Sequence, residues 1–245
     1  MKKLTLLKMS GVVFACMLFL LQGVALAAGD FKFITTDELK QKMDAGESFV
    51  LINALSPIEF NEMAIKGSVN IPSSKFKAGH PMLPADKGSL LIVYCKGPKC
   101  NKSRVAAGKA MKLGYTNVLV YNEGLPGWAK ARLPMDRAVK YPKVKPTRLT
   151  PKELNGQLAS VTVLDIRGKK HLALGVIKGA IKITLDNLDK EYSSLPKDKK
   201  LVVVDHAGKQ VNITAKFLHL NGYTDLAVMD GGMLSWLRDG LPVEK

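Results

Sequence analysis

The chain contains the stretch IKGSVNIP at residues 65–72 and repeats it, in altered form, as IKGAIKIT at residues 177–184. Two further segments recur in the same order behind these stretches, GYTN at 114–117 and GYTD at 222–225. Each of the two is followed, at the same spacing, by a glycine and then by one of the only two tryptophans in the 245 residues. Self-similarity of this kind indicates one structural unit that is present twice.

Each copy has the pattern of alternating strands and helices. Helix starts are predicted at Thr36 and Thr150, where a capping residue is followed by acidic residues. Short apolar runs predict buried parallel strands at 49–52, 90–94 and 118–120 in the first copy and at 161–166, 201–204 and 226–228 in the second. Helices are predicted at 105–113 and 213–220. The pattern indicates an α/β fold, with a central and mainly parallel sheet flanked by helices in each copy.

The first 27 residues have the features of a secretory signal peptide. Lys2 and Lys3 precede an apolar run over residues 11–21, and small residues at 25 and 27 frame a cleavage site after Ala27. This order predicts export, to the periplasm or beyond, as a soluble protein. The sequence therefore predicts a signal peptide at 1–27, a first domain at 28–137, a linker at 138–147 and a second domain at 148–245, and each domain is long enough to bury its own core.

The chain is strongly basic, with 37 Lys and Arg against 21 Asp and Glu and a formal net charge of +16. Most lysines are scattered, and export argues against nucleic acid as a partner, so small anions and solvation are the expected roles of this charge. One basic cluster surrounds a cysteine, Cys95. Its members are Lys96, Lys99, Lys102 and Arg104. Since Cys16 lies in the predicted signal peptide, Cys95 and Cys100 are the two cysteines of the predicted mature chain.

Each half of the chain resembles a rhodanese domain. The resemblance rests on the Ile-x-Gly turn quoted above, on an apolar strand followed by a loop and a helix, on the Gly-Tyr segment with its later glycine and tryptophan, and on a strand that ends as Leu-Asp-x-Arg in the second copy. It covers residues 33–243. The resemblance implies sulfurtransferases, in which a loop cysteine accepts a sulfane sulfur as a persulfide, and it implies that inactive copies are common in tandem proteins.

The resemblance assigns the nucleophile to Cys95, which follows the predicted strand 90–94. Asp205 has the matching position in the second copy. A carboxylate cannot carry a persulfide and would repel an anionic sulfur donor, so the second domain is predicted to be inactive. The degenerate second site consists of Asp205, Gly208, Lys209 and Gln210.

A second difference between the copies concerns the end of an earlier strand. The second copy has Asp165 and Arg167, a pair that the resemblance identifies as a brace for the active-site loop. The first copy has Asn53 and Leu55 at these positions. The resemblance thus implies that the first loop lacks this brace.

The loop after Cys95 is predicted to bind the substrate anion. It consists of Lys96, Gly97, Pro98, Lys99, Cys100, Asn101, Lys102 and Ser103. Backbone N–H groups and the dipole at a helix start favour an anion and lower the pKa of a cysteine below its ordinary value of about 8.5. The lysines attract anionic donors, Gly97 permits a tight turn, and Ser103 is a candidate N-cap for the next helix.

Cys100 has three roles that agree with the sequence. It resolves or regulates Cys95 through a disulfide, it is a passive residue at the start of the helix, or it forms a permanent structural disulfide with Cys95. Glu59 and Glu62 are expected on a solvated helix face. No cofactor is expected, and His80, His171, His206 and His219 do not have the spacing of metal ligands, so no metal is predicted.

The leading hypothesis is a periplasmic sulfurtransferase that moves sulfane sulfur from thiosulfate or a persulfide to a thiol acceptor through a Cys95 persulfide. A second hypothesis is a non-catalytic sulfur carrier or binding module, with a protein partner that binds the second domain. A third is an oxyanion reductase or phosphatase, because the Cys95 loop is two residues longer than its counterpart in the second copy. Enzymes of that third class typically have an arginine where this loop has Asn101.

Overall fold

The computed structural model describes residues 31–245. Most of its strands are short runs rich in β-branched residues and leucine. In the first half these are β1 Lys32–Ile34, β2 Val50–Asn53, β3 Ala64–Ile65, β4 Val69–Asn70, β5 Leu91–Tyr94, β6 Val118–Tyr121 and β7 Met135–Asp136. In the second half they are β8 Thr147–Leu149, β9 Val161–Asp165, β10 Ile181–Lys182, β11 Lys200–Val204 and β12 Leu226–Met229. The predicted signal peptide and Cys16 lie outside the described residues.

The two halves build the same sheet. The first sheet has the strand order β1-β6-β5-β2-β4, and the second has the equivalent order β8-β12-β11-β9-β10. All neighbours in both sheets are parallel. The α/β prediction of two parallel sheets is therefore confirmed, and both central strands, β5 and β11, are buried because they have neighbours on each side.

Helices cover both faces of each sheet. The first half contains α1 Thr36–Asp44, α2 Pro57–Glu62, α3 Lys102–Lys112 and α4 Gly124–Lys130. The second half contains α5 Pro151–Asn155, α6 Lys169–Leu172, α7 Leu188–Glu191, a 3-10 turn at Tyr192–Ser194, α8 Val211–Leu220 and α9 Gly232–Arg238. Among these described helices none is long and apolar enough to span a bilayer.

Capping boxes start three of the helices, as their sequences suggest. The predicted cap at Thr150 is confirmed, since its hydroxyl accepts from the Glu153 amide. The first helix is capped one residue earlier than expected, by Thr35 rather than Thr36. Thr36 instead lies inside the helix and its hydroxyl pairs with that of Tyr121, 2.7 Å away, which binds α1 to the end of β6.

Trp128 and Trp236 have equivalent places in the two cores. Both are almost fully buried. The indole N–H of Trp128 donates to the Pro134 carbonyl at 2.9 Å, and that of Trp236 donates to the Pro242 carbonyl at 3.0 Å. Each tryptophan therefore links the core of its half to the segment after the last helix of that half. This shared role explains why the tryptophan has the same position in both copies of the repeat.

Helix α2 of the first half packs against α7 and α8 of the second. Ile58 on α2 is fully buried within the hydrophobic cluster of the second half. At the edge of this contact, the Lys216 ammonium lies 2.7 Å from a carboxylate oxygen of Glu62. The two halves thus share apolar surface, and the elements of this contact lie next to the loops that follow β5 and β11.

Candidate active site

Cys95 is the first residue after β5, at the carboxyl end of the central strand of the first sheet. The chain then turns through residues 96–101 into α3. The turn requires glycine at Gly97, whose φ is 137°. It also requires Gly124 at the start of α4, because a Cβ there would lie 2.7 Å from the Gly97 nitrogen and still closer to the Cys95 carbonyl. The loop after Cys95 and the start of α4 are therefore in direct backbone contact.

The Cys95 sulfur faces the start of α3. It lies 3.3 Å from the Cys100 carbonyl oxygen and 3.3 Å from the Ser103 hydroxyl oxygen. The contact with the carbonyl is a hydrogen bond only for the thiol form, whereas the hydroxyl can turn its hydrogen toward a thiolate. Both Cys95 and Cys100 are free thiols.

The surroundings of Cys95 favour its thiolate. A hydrogen bond with the Cys100 side chain lowers the pKa of Cys95 most, and the Ser103 hydroxyl and the amides of Ser103 and Gly97 lower it further, against the opposing effect of burial. The same contact with Cys95, together with burial, raises the pKa of the Cys100 thiol. Cys95 is thus the more acidic thiol of the two.

Cys95 itself is only 1% exposed. A pocket of about 430 Å³ opens at the loop that follows Cys95. The pocket is lined by Lys96, Gly97, Pro98, Lys99, Cys100, Pro126 and Lys209. Cys100 is therefore the thiol at the pocket surface, and Cys95 lies behind it. Lys209 belongs to the second half of the chain, so both halves form this pocket.

The predicted role of Ser103 differs in the structure. Ser103 is not an N-cap, because α3 begins one residue before it and Asn101 holds the cap position without a side-chain hydrogen bond. The buried Ser103 hydroxyl contacts Cys95 instead. Arg104 braces the loop, since its guanidinium donates to Asn122 Oδ1 at 2.6 Å and to the Pro98 carbonyl at 3.4 Å.

The basic residues of the loop divide into two groups. Lys96 and Lys99 are exposed at the pocket. Lys102 points elsewhere, with its ammonium 3.4 Å from a carboxylate oxygen of Glu59 and 3.8 Å from one of Asp186. Burial works against its charge, but Glu59 and Asp186 outweigh burial and raise the pKa of Lys102. Its charge is therefore neutralised within the protein and not offered to a substrate.

Glu59 contradicts its predicted place on a solvated helix face. It is 6% exposed and closes a capping box with Ser56 at the start of α2. The same carboxylate oxygen accepts from Lys102 and, at 3.3 Å, from the Gln210 side chain of the second half. Burial opposes its ionisation, yet Lys102 and the Ser56 hydrogen bonds lower the pKa of Glu59 overall. Glu62 also pairs across the contact and is only half exposed.

Asp205 fills the corresponding loop of the second half with its own carboxylate. It follows β11 directly and is 2% exposed. One carboxylate oxygen accepts from the Gly208 amide, and the other accepts from the Gln210 amide at 2.6 Å. The amide groups that would hold a substrate anion are thus already occupied by a side chain.

A family model described as "Rhodanese-like domain" matches this chain twice, at residues 35–131 and 150–239. The chain belongs to this family. The two matches contain the two parallel sheets, one in each, so the protein has two rhodanese-like domains in tandem.

Three curated relatives match about one such domain each. A sulfurtransferase of Allochromatium vinosum is 29% identical over 83 residues, 34% of this chain and 78% of that protein. A thiosulfate sulfurtransferase of Shewanella oneidensis is 32% identical over 77 residues, 31% of this chain and 76% of that protein. A probable adenylyltransferase/sulfurtransferase of Mycobacterium tuberculosis is 29% identical over 101 residues, 41% of this chain but only a quarter, 25%, of that protein. These matches therefore support a sulfurtransferase family for the chain, but they do not identify its substrate.

The second rhodanese-like domain keeps the pair Asp165 and Arg167, but the pair does not brace the loop after β11. The two side chains form a buried ion pair at 2.6 Å. The guanidinium then donates to the carbonyls of His171 and Gly175, both at 2.8 Å. Arg167 therefore holds the segment that follows β9, which corrects the role implied by the resemblance.

The first rhodanese-like domain replaces this pair with Asn53 and Tyr94. Asn53 Oδ1 accepts from the Leu55 amide at 2.8 Å, as Asp165 accepts from the Arg167 amide. The Tyr94 hydroxyl accepts from the Ile65 amide at 2.9 Å and pairs with the Ser68 hydroxyl at 2.8 Å. A tyrosine on β5 thus supports the neighbouring segment where the second domain uses an arginine.

Two of the four histidines, which the sequence leaves far apart, meet in the second domain. The ring centroids of His171 and His206 are 4.2 Å apart. Burial and the proximity of His206 lower the pKa of His171. Within residues 31–245 no third side chain of metal-ligand type joins them.

Proposed function

We propose that this protein is a rhodanese-type sulfurtransferase that moves sulfane sulfur from thiosulfate or a persulfide to a thiol acceptor, through a persulfide on Cys95. The observation that carries the proposal is the contact of the Cys95 sulfur with the Ser103 hydroxyl at the start of α3, 3.3 Å away. The Cys100 side chain and the Ser103 hydroxyl lower the pKa of Cys95, and the thiolate is the form that attacks sulfur.

The reaction has two half-steps. The Cys95 thiolate attacks the outer sulfur of thiosulfate, a sulfur–sulfur bond forms at Cys95, and the bond between the two sulfur atoms of thiosulfate breaks to release sulfite. The thiolate of the acceptor then attacks the outer sulfur of the Cys95 persulfide, takes it as a new persulfide, and returns Cys95 to the thiolate. Electron pairs balance in each step, because every bond that forms displaces a thiolate or sulfite.

The first domain alone supplies the nucleophile in this proposal. Asp205 has the position of Cys95 in the second domain, and its carboxylate is held by the amides of the loop. A carboxylate offers no sulfur and repels an anionic donor. The proposal also includes export to the periplasm, which rests on the signal-peptide pattern of residues 1–27.

A sulfur-carrier function is the second candidate, and the burial of Cys95 favours it. With 1% of the residue exposed, a persulfide on Cys95 would be protected from water and from small acceptors. Such a protein would hold the sulfur until a partner opened the loop, and it would show little turnover on its own.

One set of experiments distinguishes the two. Reduced wild-type protein, Cys95→Ser and Cys100→Ser are incubated with thiosulfate, and the intact mass is measured before and after addition of cyanide. The sulfurtransferase gains one sulfur on Cys95 and forms thiocyanate over many cycles, and Cys95→Ser does neither. A single sulfur that cyanide does not remove identifies the carrier. Equal thiocyanate formation by Cys95→Ser and wild type would refute both.

A further inference from the structure

The loop of the second rhodanese-like domain is rigid although it carries no nucleophile. The Asp205 carboxylate accepts hydrogen bonds from the amides of Gly208 and Gln210 and so takes the place of a bound anion. Gly208 has a φ of 73° and packs against the backbone of Gly231. The backbone of Lys209, which lies between the fixed residues Gly208 and Gln210, is therefore held in place.

This loop is fastened to the first domain beside the active site. The Gln210 side chain donates to Glu59 at 3.3 Å, and Glu59 in turn accepts from Lys102, the first residue of α3. Asp186 adds a second link, because it pairs with Lys102 and accepts a hydrogen bond from the Ser74 hydroxyl. Ile58, buried in the core of the second domain, excludes water from the same contact.

Lys209 precedes Gln210 and is exposed, and it forms part of the wall of the pocket at the loop that follows Cys95. It faces a pocket with two other exposed lysines, Lys96 and Lys99, and with the rings of Pro98 and Pro126. The surface of the pocket is almost entirely apolar, so the three lysines line it with their aliphatic stems. Because these lysines are exposed, their ammonium groups are free to bind an anion at the mouth of the pocket, which suits an anion that also has an organic body.

The size of the pocket also fits an organic anion. Its volume of about 430 Å³ lies in the range of pockets for larger organic ligands, roughly 300–1,000 Å³. Thiosulfate has five heavy atoms and occupies only a fraction of that space. A low-molecular-mass thiol with carboxylates some distance from its sulfur would fill more of the pocket and reach the cations.

We propose that Lys209, a residue of the inactive domain, determines the specificity of the first domain's site by binding a carboxylate of a low-molecular-mass thiol or its persulfide. The sulfur end of this ligand lies at the Cys100 side of the pocket, next to the loop that covers Cys95. The second domain thereby has a role in substrate binding without any chemistry of its own. This inference rests on the proposed function for the reaction but not for the binding.

Binding is tested with S-methylglutathione, a thioether with two carboxylates that cannot exchange sulfur, and with its diester, in which neither carboxylate is charged. Calorimetry compares the wild-type protein with Lys209→Ala, Lys209→Arg and Lys199→Ala. Lys199 is the matched control, since it is exposed at the opposite end of β11. We expect Lys209→Ala to bind S-methylglutathione about three- to tenfold more weakly, with a smaller difference at high salt.

The other variants define the alternative outcomes. Lys209→Arg keeps the charge and is expected to bind within about twofold of the wild type, and Lys199→Ala is expected to bind like the wild type. The diester is expected to bind equally to all four proteins. Unchanged affinity in Lys209→Ala, equal weakening in Lys199→Ala, or no binding of S-methylglutathione to the wild type would each overturn the proposal.

Kinetics separate this proposal from the proposed function. With thiosulfate as donor, Lys209→Ala is expected to raise the KM for glutathione but not for 2-mercaptoethanol, at nearly unchanged kcat. If the wild type transfers no sulfur while Lys209→Ala still weakens S-methylglutathione binding, the proposed function fails and the binding site stands. If sulfur transfer is normal and Lys209→Ala affects both acceptors alike, the role of Lys209 is refuted and the function stands.

Discussion

The Cys95 sulfur and the Ser103 hydroxyl oxygen are 3.3 Å apart, which connects the end of the central strand to the first turn of α3. A hydrogen bond to a charged group contributes about 1.5–3 kcal/mol, and 1.36 kcal/mol corresponds to about one pKa unit. We therefore expect Ser103→Ala to raise the pKa of Cys95 by about one unit or more. The pH dependence of Cys95 alkylation by iodoacetamide, followed by mass spectrometry, measures this shift.

The direction of this shift in the pH profile follows from the reactivity of the thiolate. Alkylation requires the anion, so the wild-type rate is expected to remain high at pH values below the ordinary thiol pKa of about 8.5. In Ser103→Ala the fall in rate moves to higher pH, and sulfur transfer at pH 7 decreases. Ser89→Ala, in an exposed turn before β5, is the control. Coincident profiles for wild type and Ser103→Ala would show that this hydroxyl does not stabilise the thiolate.

Cys100 is expected to act on Cys95 in a redox-dependent way, because both are free thiols and the Cys95 sulfur lies 3.3 Å from the Cys100 carbonyl oxygen. Oxidation of the wild type with oxidised glutathione is expected to give a Cys95–Cys100 disulfide, with two reduced glutathione molecules released and sulfur transfer abolished. Dithiothreitol is expected to restore activity. In Cys100→Ser, the same treatment is expected to leave a mixed disulfide on Cys95.

Mass spectrometry after alkylation distinguishes these products. A loss of two hydrogens that blocks both cysteines identifies the internal disulfide. A wild type that shows only the mixed disulfide would assign Cys100 a passive role. Since Cys100 donates to the Cys95 thiolate, Cys100→Ala is also expected to raise the pKa of Cys95, and Cys100→Ser, which keeps a donor, is expected to raise it less.

Glu59 is expected to make stability depend on pH. Its folded-state pKa is lowered, so the ionised carboxylate stabilises the folded protein at neutral pH, and this contribution is lost as pH falls through the folded-state pKa. Glu59→Gln is expected to reduce the free energy of unfolding by about 1.5–3 kcal/mol at pH 7. Urea unfolding at several pH values measures the difference.

The difference between wild type and Glu59→Gln is expected to shrink below the ordinary glutamate pKa of about 4.3. Glu47→Gln is the control, because Glu47 is exposed and pairs only with Lys42. A difference that stays constant between neutral and acidic pH would mean that the charge of Glu59 has no part in the stability of the contact.

Asp205 is expected to be structural. Its carboxylate satisfies the amides of Gly208 and Gln210 in a buried site. Asp205→Asn replaces one acceptor oxygen with a donor, so we expect a loss of about 1–3 kcal/mol in the free energy of unfolding. Thermal and urea unfolding measure it, with the exposed Asp198→Asn as control. If Asp205→Asn is as stable as the control, the loop amides do not depend on this carboxylate.

The strands were predictable because their signal is local. Runs such as 90–94 and 201–204 are apolar throughout and are bounded by polar turns, and the structure places β5 and β11 there within one residue. The helix after Cys95 begins three residues before the predicted start at 105, since the lysine and serine of its first turn carry no apolar signal. Ser103 was mistaken for a cap for the same reason.

The contact between the domains had no comparable signal. Ser56 and Glu59 form the capping box of α2, but their spacing in the sequence does not reveal that Glu59 meets Gln210 more than a hundred residues away. His171 and His206 likewise meet only in the folded second domain. Pairings of this kind depend on how helices and loops from different segments pack.

The sequence by itself determined that one α/β unit occurs twice, that the first copy carries a cysteine after its central strand, and that the second carries Asp205 there. These features are patterns of neighbouring residues and their repetition, so they can be read without coordinates. Only the tertiary structure decided that Cys95 is buried behind Cys100 and that Lys209 reaches the pocket of the other domain. Burial and proximity across domains arise from long-range packing, which has no period or spacing in the chain.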